Sequence, residues 1–230
     1  MKSILSYDSK FMKTLEHVAD TMLLNILFLV CCIPVVTIGA AWCALFSGCR
    51  ALGEDTTPFR SFFRGFRSGF KRATLAWLIL LPVLILLSYT VGAVWQLMQM
   101  QFAMAVFTFI IAVVALVTAL CVTTMVFLFY SRFECTVRQL LKNGLLMHLG
   151  HMIRSIIIGI GCWFPVIAFF TLPYQFGQFA PVWLLLYFGV AANLSVWLMK
   201  TPFARLVEQA EGSKQGTEQA QEEEEEEVPV

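Results

Sequence analysis

Three stretches of this 230-residue chain contain no Lys, Arg, Asp or Glu: residues 21–49, 73–131 and 155–199. They hold 29, 59 and 45 residues, whereas one helical crossing of a bilayer needs roughly 20. A water-soluble domain intersperses charge at about one residue in four and exposes only small apolar patches. Here 59% of residues are hydrophobic, 13% are charged and the mean hydropathy is +0.76. A soluble fold is excluded. In hydrocarbon each backbone polar group must be paired within the protein, which a helix achieves on its own. The expected fold is all-α, a polytopic transmembrane helical bundle.

The 59-residue tract needs a turn, because a single helix of that length would measure about 88 Å. The polar run from Gln96 to Gln101 is its natural place, giving spans near 74–95 and 102–131. The 45-residue tract is interrupted by Pro173, Gly177 and Pro181, which break a helix. Spans near 153–172 and 182–200 follow. The apolar segment 20–49 is different, because Pro34 divides it into arms of only 13 or 14 residues, 20–33 and 37–49. It is either a re-entrant hairpin or one Pro-kinked crossing. With charged residues scattered over 1–20 and no short apolar core before a cleavage site, the segment is expected to stay as an anchor rather than leave as a signal peptide.

Lys and Arg mark the cytoplasmic connections. The 50–72 connection carries Arg50, Arg60, Arg64, Arg67, Lys71 and Arg72, and 132–154 carries Arg132, Arg138, Lys142 and Arg154. The connections 96–101 and 173–181 carry none. The expected location is the cell membrane, multi-pass, with both termini cytoplasmic. Residues 1–203 form a single membrane domain with a balance of +8, and 204–230 a tail of −7 that contains six consecutive glutamates, 222–227. Such a run repels itself and buries nothing, so the tail reads as disordered and solvated.

Two stretches are candidates for function. Phe59, Phe62, Phe63, Phe66 and Phe70 recur at helical spacing from Pro58, with Arg60, Arg64, Arg67 and Lys71 on a flank. This predicts an amphipathic helix over 57–72, lying at the inner membrane surface as an anchor or as a docking face for a partner. The second is the turn around Pro34 and Gly39, where Asn25 or Thr37 would satisfy freed backbone groups or meet a polar solute. His148 and His151 make half a zinc site at most. The seven cysteines contain no CxxC and read as small packing residues. No secure span holds a central ionisable residue or a nucleophile with a base. The reading is therefore not an enzyme, with no catalytic residue, cofactor, metal or nucleic-acid partner.

The run from Asn25 through Ile33-Pro34-Val35-Val36-Thr37-Ile38-Gly39, followed by Phe62-Phe63-Arg64-Gly65-Phe66-Arg67, resembles the YesL-like family of small bacterial integral membrane proteins. The likeness is sharpest over about residues 20–75. The family has no established activity; its members often accompany carbohydrate uptake and breakdown systems in Gram-positive bacteria. The resemblance supplies no functional residue. It implies an accessory or regulatory component associated with carbohydrate uptake, its partner a transporter or signalling subunit. The alternative is a small transporter or channel for a neutral solute such as a sugar or polyol.

Overall fold

The computed structural model describes residues 10–52, 57–99, 103–133, 135–171, 173–178 and 183–226. Among them every regular element is helical. The order is α1 (Lys10–Cys32), a 3-10 turn (Val35–Thr37), α2 (Ile38–Ala51), α3 (Pro58–Gln99), α4 (Ala103–Tyr130), α5 (Val137–Gly150), α6 (Met152–Thr171) and α7 (Pro173–Gln178). A π-helical turn (Trp183–Tyr187) then leads into α8 (Phe188–Glu226). Among the described residues, four helical stretches are long and apolar enough to cross a membrane: Met12–Cys32, Pro58–Gln99, Met104–Tyr130 and Met152–Phe169. The chain divides into two compact units, Met1–Val196 and Trp197–Val230.

The expected span 74–95 falls within α3, and 102–131 and 153–172 correspond to α4 and α6; Ser131 follows α4 as a turn, and residues 102 and 172 lie outside the described residues. The span expected over 182–200 begins, among the described residues, as the π-helical turn and continues as α8. Three prolines of the apolar segments, Pro34, Pro82 and Pro165, occupy unlike settings. Pro34 precedes the 3-10 turn in an extended conformation, whereas Pro82 and Pro165 lie inside α3 and α6.

The first apolar segment differs most from expectation. Its first arm is not the 14 residues of 20–33 but the 23 of α1, because helix continues back through Asp20, His17, Glu16 and Lys13. Polar residues with good helix propensity extend the arm beyond its apolar half. The chain then reverses. The Phe28 and Trp42 rings lie 4.9 Å apart, and a Cβ on Gly48 would stand 2.6 Å from a Leu24 methyl. These pairings make α1 and α2 antiparallel. The segment is a hairpin, and the alternative of one kinked crossing is corrected.

Its depth follows from α3. The apex is tied to Trp77, whose indole N–H donates to the Val35 carbonyl at 2.9 Å. Trp77 lies five positions beyond Arg72, about 8 Å along the helix, and 22 positions before Gln99, about 33 Å. The hairpin therefore turns near the basic end of α3 and well short of its other end.

α2 forms the centre. Gly39 through Phe46, Gly48, Cys49 and Ala51 are all buried, enclosed by α1, α3 and α4. Hydrocarbon gives little hydrophobic force between helices, so close van der Waals packing of small residues holds them. Gly39 shows this: a Cβ there would meet Trp77 Cβ at 2.7 Å and the Ala73 carbonyl oxygen at 2.8 Å.

α3 is one unbroken helix of 42 residues, so the amphipathic helix expected over 57–72 forms, from Pro58, the first turns of the same helix that continues into the span. The charge change at residue 72 carries no helix-breaking residue, and helix propagates through it. In the second unit, residues 197–226 are helical, where a disordered tail was expected from 204. Its Ala, Glu, Gln, Lys and Arg residues are strong helix formers despite their net charge. Residues 227–230 lie outside the described residues.

Candidate functional site

The turn at Pro34 is built from its own backbone. The Thr37 hydroxyl shares its single proton between the Cys31 carbonyl at 2.6 Å and the Pro34 carbonyl at 2.8 Å, and the Thr37 N–H returns to Pro34 at 3.0 Å. Together they satisfy carbonyls that the end of α1 would otherwise leave open. Ile33, Pro34, Val35 and Val36 are exposed. Asn25 is elsewhere. Fully buried on α1, it accepts the backbone N–H of Gly189 through Oδ1 at 3.0 Å. Gly39 sits in the α2–α3–α4 packing. The four candidate turn residues are thus distributed over three places, and the hydroxyl and amide that could have met a solute engage the backbone.

The aromatic-basic segment also departs from the simple stripe. Only Phe62 of its five phenyls is fully buried, facing the bundle; Phe66 is half-buried, and Phe59, Phe63 and Phe70 are exposed. The seam toward α2 runs through Gly65, Ala73 and Trp77, and a Cβ on Gly65 would stand 2.9 Å from Ser47 Cβ. Small residues win that seam because they let the helix axes approach. The other phenyls pair among themselves, Phe59 with Phe63 at 4.9 Å and Phe66 with Phe70 at 5.4 Å. Arg60, Arg64, Arg67 and Lys71 are exposed beside them.

Residues 21–91 match the family model described as "Protein of unknown function, DUF624". The chain resembles this family over that stretch. It contains the whole hairpin from Thr21, the aromatic-basic segment and most of α3. No curated protein and no solved structure shows significant similarity to the chain.

A third feature had no signal in the aromatic spacing. The ends of α2 and α4 meet α3 around a cleft of about 190 Å³, lined by Cys43, Ser47, Arg50, Arg64, Gly65, Ser68, Gly69, Tyr130, Ser131 and Arg132. Arg50 donates to the Ser131 carbonyl at 2.9 Å. Gly69 admits the Tyr130 ring, which a Cβ would meet at 2.8 Å. Sequence reasoning placed Arg64 on a helix flank and Arg50 and Arg132 in two separate basic connections. What it did not supply was their meeting. The available clue was that Arg50 and Arg132 end uncharged tracts on the same expected side of the membrane.

His148 and His151 do not act together. His148 is buried and its Nδ1 hydrogen-bonds the Ser155 hydroxyl at 2.6 Å, fastening α5 to α6. Burial pushes the imidazole below its ordinary range, so the neutral form is favoured in the fold. His151 is the C-cap of α5. Among the described residues no cluster of three His, Cys, Asp or Glu side chains has metal-binding geometry.

Proposed function

We propose that the protein is a YesL-like, non-catalytic accessory or regulatory component of the cell membrane, associated with carbohydrate uptake, that docks a transporter or signalling subunit through the first turns of α3. The observation that carries this reading is the exposure of Phe59, Phe63 and Phe70 beside four exposed cations on a helix continuous with a membrane span. Aromatic and Arg side chains are the groups that most often anchor protein interfaces. A helix rigidly joined to a span also transmits displacement of one end to the other. The positive-inside bias supports a cytoplasmic position for this surface, and the family likeness over residues 21–91 includes it. The link to carbohydrate uptake rests on the company kept by YesL-like proteins.

The test places a photo-crosslinking amino acid at Phe59 or Phe63 in the native membrane, with Val83 in the span as the comparison site. Crosslinks from both aromatic positions, and not from Val83, to the same membrane transporter or signalling subunit are expected. A deletion strain should then grow poorly on the polysaccharide that this partner serves. Repeated recovery of the protein alone, with growth unchanged across a polysaccharide panel, overturns the reading.

A further inference from the structure

We infer that the cleft between α3 and the ends of α2 and α4 binds a phosphate group, carried by an anionic phospholipid or by a small phosphorylated solute. Three segments remote in sequence each deliver a guanidinium to its walls: Arg50, Arg64 and Arg132. Each brings a serine near it in sequence, Ser47 one turn before Arg50, Ser68 one turn after Arg64, and Ser131 adjoining Arg132. Among the described residues lining the cleft there is no Asp or Glu.

Charge and donor geometry select the ligand class. A guanidinium offers up to five N–H donors in a planar fork, and one such fork suffices for a carboxylate. Three forks, from α2, from α3 and from the turn that follows α4, suit a group with three or four oxygens and more than one negative charge. Arg50 is oriented by its bond to the Ser131 carbonyl, and a preset fork loses less freedom on binding. Two helix C-termini end here, at Ala51 and Tyr130. Their carbonyls oppose an anion with about half a charge each, which three guanidiniums outweigh. The volume of about 190 Å³ far exceeds the roughly 10–15 Å³ that admits one water. Gly65 and Gly69 let Ser47 and the Tyr130 ring close on the α3 wall, so α2 and the end of α4 frame the cleft at the basic end of the bundle. The site shares Arg64 with the partner surface proposed above, but its other walls belong to α2 and the end of α4 and its ligand is an oxyanion, so Ser68→Leu separates the two.

The experiment uses the full chain purified in a neutral detergent without phosphate. Its unfolding temperature is followed while inorganic phosphate is titrated at constant ionic strength. In parallel, short-chain phosphatidylglycerol is titrated against short-chain phosphatidylcholine. Wild type should be stabilised by at least one of the two anionic ligands. Arg64→Gln and Ser68→Leu, which fills the cleft and keeps all three cations, should each weaken the midpoint about tenfold or more, while Arg138→Gln leaves it unchanged. Stabilisation by phosphatidylglycerol alone assigns the headgroup of a lipid; stabilisation by inorganic phosphate as well assigns a small solute. No response of wild type to either ligand, or equal responses in all variants, overturns the inference. If Arg64→Gln does not fold, Ser68→Leu decides.

Discussion

The side-chain oxygen of Asn25 accepts the backbone N–H of Gly189 at 3.0 Å, across 164 positions of sequence. Gly189 stands where the π-helical turn passes into α8 and the hydrogen-bond ladder changes register. Its lack of a side chain matters here, because a Cβ would meet the Thr21 carbonyl oxygen at 2.8 Å. One buried amide thereby joins the first helix to the last apolar segment.

Asn25→Leu should accordingly destabilise the bundle by about 1–3 kcal/mol, because it leaves a buried N–H without its acceptor. The unfolding temperature in detergent should fall well below that of wild type. Thr108→Val, which removes only an exposed hydroxyl bonded to its own helix at Met104, should change it little. Equal effects of the two would show that Asn25 carries no such weight.

Two glycines should behave oppositely. Gly39→Ala forces a methyl against Trp77 and the Ala73 carbonyl, displacing α2 from α3 at a cost of about 1–3 kcal/mol. Gly92→Ala has nothing within 4 Å of the added Cβ and gains about 0.5–1 kcal/mol of helix propensity. Thermal unfolding of the two variants side by side measures both signs.

His148 should make stability depend on pH. Its folded value lies below the ordinary 6.5 through burial, so between the two values the unfolded chain binds a proton that the fold refuses. Stability then rises with pH through that window. As pH falls below 6.5 the contribution is lost progressively, until the folded imidazole also protonates. Unfolding temperatures of wild type should fall more steeply from neutral to mildly acid pH than those of His148→Gln. Parallel profiles would remove His148 as the cause.

The hairpin predicts sidedness. In a background lacking native cysteines, Lys13→Cys and Leu52→Cys should react with an impermeant maleimide from the same side of the membrane, and Gln99→Cys from the other. Positive-inside charge places the first two in the cytoplasm. Labelling of Lys13→Cys and Leu52→Cys from opposite sides would contradict the reversal at Pro34.

The helical bundle was legible because charge-free length is a property of composition along the chain. It needs no contact between distant residues to be read. Pro34 marked a place where helix could end, since proline removes a donor, but Pro82 and Pro165 remove one too and lie inside α3 and α6, so proline alone did not decide the break. The limits of α1 and α3 were less readable. A change from apolar to charged residues marks where solvent changes, and helix continues through it unless a residue objects. That is why the 57–72 segment and the span after it are one rod.

Side-chain roles were legible only in part. Five phenyls at helical spacing specify a stripe, but which direction is buried depends on which neighbour approaches most closely. α2 approached along Gly65 and Ala73, and of the five phenyls only Phe62 is fully buried. Asn25 and Thr37 stood out as polar residues in an apolar run, which says that each needs a partner and not which one.

By itself the sequence determined that the chain is helical, that it belongs in a bilayer, and where its basic connections lie, because hydrophobicity and charge act residue by residue. Tertiary structure alone decided that the first segment turns back beside Trp77, that Asn25 meets Gly189, and that Arg50, Arg64 and Arg132 face one cleft. Those outcomes depend on how closely helices pack, and close approach is set jointly by small residues on surfaces that only folding brings together.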